Sequence, residues 1–256
     1  MATWIMFKAM VKRYAIELRR YYFNTLSMLV SFYFIFLLLF LGIQSVSGPQ
    51  FGDALNGMVV GFSVFYLTIY SYAELSWVLI QEAQQGTLEQ LSMSPLGFGR
   101  VLIARITAAL VFRLLIMFAL LILLMATTGR WLSVDLLTVL PLLVLTVASA
   151  QGVGFVMGGL ALVFKQIQAS LGILQFVFVA LIAAPLDQFP FLKFLPLSWG
   201  THLIGQAMIA GTRIWQMSGS DVLLLIANAV FYFGVGFSIF KLFERAARNR
   251  GLLGHY

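Results

Sequence analysis

Six stretches of this chain, 26–46, 54–80, 101–127, 136–163, 169–186 and 221–241, run apolar for roughly the twenty residues a helix needs to cross a bilayer. Inside hydrocarbon a backbone has no water to bond, so each run must satisfy its own N–H and C=O groups as a helix. Composition agrees: 61% of residues are hydrophobic, 10% are charged and the mean hydropathy is +0.98. A soluble fold of this size could not hydrate such a surface. The expectation is an all-α integral membrane protein with six transmembrane helices, forming one domain over 1–256. There is no cysteine, which excludes disulfides and thiolate metal sites. No internal repeat is visible, against the inverted repeats of many secondary transporters.

The net charge of +7 does not gather into a patch with interleaved aromatics, as nucleic-acid binding would require. It is sorted by loop instead. Lys8, Lys12, Arg13, Arg19, Arg20, Arg100, Arg105, Lys165, Lys241, Arg245, Arg248 and Arg250 fall on one side of the six runs. Arg130, Lys193 and Arg213 fall on the other, and Arg113 lies within a run. The positive-inside rule therefore places both termini and the 81–100 loop in the cytoplasm of a plasma (inner) membrane protein. Residues 1–25 carry Trp4, Phe7, Val11, Tyr14, Leu18 and Tyr21 at spacings of three and four, with Lys8, Lys12, Arg13 and Arg20 mainly elsewhere. Glu17 is placed to pair with Arg13 or Arg20. This is the pattern of an amphipathic helix on the inner membrane surface, not of a cleaved signal, because no small-residue cleavage site ends it.

Between the second and third runs lies a polar interval, 81–100, reading QEAQQGTLEQLSMSPLGFGR. Gly86 breaks the preceding helix, Thr87 is a helix cap, and Gln90 three residues on completes a capping-box pattern, which predicts a short helix from Thr87. Ser94-Pro95 repeats the logic, with serine as cap and proline at the first helical position. The sequence Glu82, Gly86, Thr87, Leu88, Glu89, Leu91, Ser94 and Pro95 resembles the loop of type-2 ABC (ATP-binding cassette) exporter permeases. Pro196–Trp199, PLSW, is similar to a Pro-Leu-Thr-Tyr-like element of that family, and the likeness extends over essentially the whole chain.

The resemblance implies a permease subunit that moves an amphiphile (drug, lipid, peptide or glycan-lipid) out of the cytoplasm. It implies an ATPase-coupling helix at Glu82, Gly86, Thr87, Leu88, Glu89, Gln90 and Leu91, with Leu88 and Leu91 seated in the ATPase. It also implies a partly buried external segment at 187–220 and a second permease subunit joined through the first and fifth spans. ATP and Mg would bind a separate cytoplasmic ATPase dimer, since this chain has no P-loop and binds no cofactor of its own. Residues Phe23–Ser31 lack the basic motif followed by tryptophan and proline found in permeases that export polysaccharides.

Other chemistry is sparse. His202 and His255 fall on opposite expected sides and cannot share a metal. Glu74 and Arg113 lie within spans, where charges are costly and usually paired, so an ion pair of Glu74 with Arg105 or Arg113 is expected. Gly154 and Gly158, flanked by Gly152 and Gly159, form a GxxxG pattern suited to close packing within the chain. Phe176 and Phe178, with Pro185 breaking the outer end of their helix, are candidates to line a transport path. A nucleotide-independent transporter or channel is the alternative class, and an intramembrane enzyme the third.

Single cysteines introduced into this cysteine-free chain check the orientation. Cysteines at Gln50 and Thr212 should react with an impermeant thiol reagent from outside the cell, and one at Gln84 should not.

Overall fold

The computed structural model describes residues 2–47, 52–94, 97–164 and 166–249. Gly48, Pro49, Gln50, Pro95, Lys165, Arg250 and His255 lie outside them. Among the described residues the fold is all-helical, with no strand. Helix α1 (Ala2–Arg20) leads into α2 (Tyr22–Ser47), and α3 (Gly52–Tyr72) is broken from α4 (Glu74–Gln84) by a turn at Ala73. Short α5 (Leu88–Ser92) precedes the long α6 (Phe98–Thr128) and α7 (Leu136–Phe164). Then come α8 (Gln168–Ile182), α9 (Ser198–Ile209) and α10 (Gly219–Asn249), with single 3-10 turns at Pro190–Phe194 and Ile214–Gln216.

Five helical stretches are long and apolar enough to cross a membrane: Tyr22–Ser45, Leu55–Gln84, Phe98–Thr128, Leu136–Phe164 and Gly219–Asn249. The run at 169–186 does not make a sixth of that length. Its helix α8 has 15 residues, about 22 Å against a hydrocarbon thickness of about 30 Å. The chain turns away at Ala183, and Pro185 follows the helix end rather than interrupting it.

Helix α7 is the hub. Its Gly152 lies so close to α10 that a Cβ there would stand 2.1 Å from the Tyr232 carbonyl oxygen, and a Cβ on Gly236 would stand 1.9 Å from the Gly152 oxygen. On its other face Gly154 meets the Tyr72 carbonyl, at the α3–α4 break, and Gly158 meets Leu75. The GxxxG pattern is thus spent on packing within the chain. Gly159 receives Phe243 of α10, and Gly200 of α9 fits over Thr146 of α7. Asp135 starts α7: its carboxylate accepts from the Leu137 N–H at 3.3 Å and the Thr138 hydroxyl at 2.7 Å, as an N-cap should. Pro141 lies inside α7, past its first turn, and leaves the Leu137 carbonyl without the N–H four residues on.

The innermost span is α3–α4, with Val59, Tyr66, Leu67, Tyr72, Leu75 and Leu79 buried. By contrast α2 turns Phe34, Leu38 and Leu41 outward, α6 exposes Leu115 and Ile122, and α10 exposes Phe231. Large apolar side chains facing away from the protein suit lipid. Helix α1 lies against α6, with Tyr14 stacked on Phe112 at 6.0 Å between centroids. Its Phe7, Val11, Tyr14 and Leu18 are half-buried, while Lys8, Lys12, Arg13, Arg19 and Arg20 are exposed. Trp4 and Tyr21, expected on the inward stripe, are exposed.

Replacing Gly152 or Gly236 with alanine should lower the thermal midpoint in detergent or nanodiscs, since neither facing backbone can yield; overpacking of this kind costs about 1–3 kcal/mol. Gly234→Ala, where a Cβ would meet nothing within 4 Å, should leave the midpoint unchanged or raise it.

Candidate functional site

The polar groups of the bundle concentrate at the end holding α1, α5 and the last turns of α10. Helix α4 ends at Gly86, whose φ of +70° is the left-handed conformation that glycine adopts without strain. The Gly86 N–H donates to the Ala83 carbonyl at 3.1 Å and the Thr87 N–H to the Glu82 carbonyl at 2.9 Å, the paired bonds of a Schellman ending. Helix α5 then begins at Leu88, with Thr87 at its N-cap position. The capping, however, differs from the expected box. Thr87 makes no side-chain cap bond to α5; its hydroxyl donates to Glu82 Oε2 at 2.6 Å and lies 3.2 Å from the Glu82 carbonyl. The side chain that was to open one helix instead locks the end of the previous one.

Ser94 likewise does not cap α6. The Gly97 N–H donates to the Ser94 carbonyl at 2.9 Å, and α6 starts at Phe98 with Gly97 at the N-cap, φ +84°.

Two ion pairs bind α4 to α6. Glu74 pairs with Arg113, and Glu82 Oε1 accepts from Arg105 Nη1 at 2.7 Å. Of the two partners expected for Glu74, Arg113 is the one realised, and Arg105 is committed to Glu82. Acids and arginines are each eight residues apart, about 12 Å along a helix, so two antiparallel helices meet in register at both rungs. That matched spacing is readable in the sequence, although the expected pairing had Arg105 as a partner for Glu74 only. Tyr14 of α1 donates to the other Glu74 oxygen, and the Arg113 guanidinium lies over the Tyr70 ring at 5.5 Å. Nothing in the sequence ties Tyr14 to Glu74. The contact depends on the angle at which α1 folds back over α6.

These pairs change the expected face of α5. Both Glu82 oxygens are engaged within the chain, by Arg105 and Thr87. Leu88 is 4% exposed and packs in a cluster with Leu75, Val78, Phe98 and Phe240, with Leu91 against it. Leu88 therefore faces inward, and Leu91 is half-buried against the same cluster. The outward residues around the elbow are Gln84, Gln85, Gly86, Glu89, Gln90 and Met93.

The transport-path candidates also separate. Phe178 is buried, edge-on to Tyr72 at 4.8 Å. Phe176, two residues earlier, is exposed on another face of α8, and Pro185 is exposed beyond the helix end. They do not line one surface.

At the opposite end, residues 187–220 form a partly buried folded segment. Leu197 enters α9 with φ +71°, an unusual conformation for a residue with a branched side chain. It is buried, and its N–H donates to Ser149 Oγ of α7 at 3.1 Å. Trp199 donates from Nε1 to the Asp221 carbonyl of α10 at 3.0 Å, stacks on His202 and lies under the Lys193 ammonium. Asn228 of α10 donates to the Phe194 and Leu195 carbonyls. Burial lowers the His202 pKa below its ordinary value, opposed by the nearby carboxylates Asp187 and Asp221 and reinforced by Lys193. Its imidazole is accordingly neutral at physiological pH.

Among the described residues no cluster of three or more His, Cys, Asp or Glu could hold a metal ion. No family model matches the chain, and no curated protein matches it.

Breaking a buried pair leaves its partner uncompensated, at a cost of about 3–5 kcal/mol. Glu82→Leu alone should therefore lower the thermal midpoint sharply, while Glu82→Leu with Arg105→Met should recover most of it. A double variant no more stable than the single one would show the pair is not energetically coupled.

Proposed function

We propose that this chain is the membrane-spanning permease subunit of an ATP-driven ABC exporter, working with a separate cytoplasmic ATPase dimer and a second permease subunit. The observation that carries the reading is the braced elbow. Helix α5 stands between two spans, and Leu88 anchors it to residues of α4, α6 and α10. The Glu82–Thr87 and Glu82–Arg105 contacts bind the turn to α4 and α6. A load on α5 is thereby shared by three long helices rather than absorbed by a loose loop. Such a part suits a partner whose nucleotide state biases a bundle between two arrangements.

In this reading both termini and α5 face the cytoplasm, where most of the basic residues lie. Helix α8 and the turn after it form the sixth, shortened crossing, with local bilayer thinning accommodating the mismatch. The exposed apolar faces of α2 and α8 meet the second subunit. The ATPase seats on Gln84, Gln85, Glu89, Gln90 and Met93. The cargo is an amphiphile, exported from the cytoplasm.

The test is purification of the tagged chain from its native membrane in mild detergent. An ATPase should co-purify, with ATP hydrolysis inhibited by vanadate, and Met93→Asp should abolish the association while leaving elution and thermal midpoint intact. Leu88→Asp should instead lower the midpoint, because it places a charge inside the cluster. If no ATPase accompanies the chain and reconstituted vesicles move amphiphiles without nucleotide, the reading fails in favour of a nucleotide-independent transporter.

A further inference from the structure

Under α9, between the ends of α3 and α8, lies a cavity of about 410 Å³. One face of α9 supplies its polar wall: Ser198, Thr201, His202 and Gln206, at helical spacings of three and four. Ser198 is 2% exposed, and its Oγ is buried in the wall without a hydrogen-bond partner. His202 and Gln206 face each other at 3.2 Å between nitrogens, and Thr201 donates to the Leu197 carbonyl. No lysine, arginine, aspartate or glutamate is among the lining residues.

The opposite wall is made by Gly57 and Gly61, one turn apart on α3. These glycines do not serve close packing. A Cβ on Gly57 would meet nothing within 4 Å, and one on Gly61 would first meet Ile182 at 3.5 Å. They leave room. The same two glycines, with Ile182 and Ala184, also line a second, apolar chamber of about 600 Å³. That chamber runs between α2, α3 and α8, walled by Ile35, Leu39, Phe62, Phe65 and Val179. The two volumes thus adjoin along Gly57, Gly61, Ile182 and Ala184, with hydrogen-bonding side chains beside one and hydrocarbon around the other.

We propose that the adjoining clefts bind a non-ionic amphiphile, its alkyl chain in the groove between α2, α3 and α8 and its uncharged, hydroxyl-bearing head group beside α9. A charged head would surrender its hydration with no counter-charge in the wall, a penalty neutral hydroxyls escape. Hydroxyls exchange water for the His202 ring and the Gln206 amide, the two polar side chains of the wall that are open to it. The site rests on the embedding of the chain in a membrane and needs no ATPase.

The experiment uses the purified full-length chain in nanodiscs, without any ATPase, and a dodecyl glucoside carrying a diazirine in its alkyl chain. After photolysis, labelled peptides are mapped by mass spectrometry. Saturable label should appear on the segments containing Gly57–Phe65 and Val179–Ala184. Unlabelled dodecyl glucoside should compete at roughly tenfold lower concentration than dodecyl phosphocholine or dodecyl sulfate. Gln206→Leu should narrow that preference. Gly57→Leu should remove the label from both segments, and circular dichroism and elution establish that it is folded; Gly61→Leu supplies the same readout if it is not. Undiminished label in a folded glycine variant, or equal competition by all three amphiphiles, overturns the proposal. Because no ATPase is present, either result is separate from success or failure of the co-purification test.

Discussion

Backbone-to-backbone contact at α7 is the interaction on which the rest of the molecule depends. Between helices in lipid there is no hydrophobic force of the kind that assembles soluble cores, so shape fit and hydrogen bonding must hold the bundle. Gly152 brings α7 against the α10 main chain, and Gly154 brings it against Tyr72 at the α3–α4 break. Fixing that break fixes the next residue, Glu74, and with it the rung to Arg113 on α6. The polar ladder is thus positioned by small residues on a helix that carries none of its charges.

The two ends of the bundle handle polarity in opposite ways. At the end holding α1 and α5, acids and arginines are paired across helices, and Tyr14 joins them from the surface helix. Each of these groups is costly to separate, which ties α1, α4 and α6 together at that end. At the other end, hydrogen bonds run from neutral side chains to main-chain carbonyls: Trp199 to Asp221, Asn228 to Phe194 and Leu195. Such contacts fix position without trapping charge, and they leave an uncharged cavity beside them.

Much of the architecture was legible in the sequence, because hydropathy reports length and length suffices for a long span. Five apolar runs became helices near their expected places; 169–186 was overextended because apolarity continues through Ala183 and Ala184 after the helix has turned at Ile182. Gly86 and the start of α5 were readable from local turn chemistry. The use of Thr87 was not, since a capping hydroxyl accepts from the helix that follows, whereas this one donates to the Glu82 carboxylate behind it. Leu88 was misplaced for a related reason: a five-residue helix has too few turns for periodicity to say which face is covered. Phe176 and Phe178 were grouped by proximity along the chain, although residues two apart on a helix diverge.

Leu197 has a consequence for assembly. A left-handed backbone at a residue with a Cβ is disfavoured by about 1–2 kcal/mol, so the segment cannot reach this shape unaided. It is held there by burial and by Ser149 of α7, while α10 grips the same segment through Asp221, Asn228 and Tyr232. One of those helices precedes it in the chain and the other follows. The contacts that complete the segment therefore exist only once the last span stands beside it.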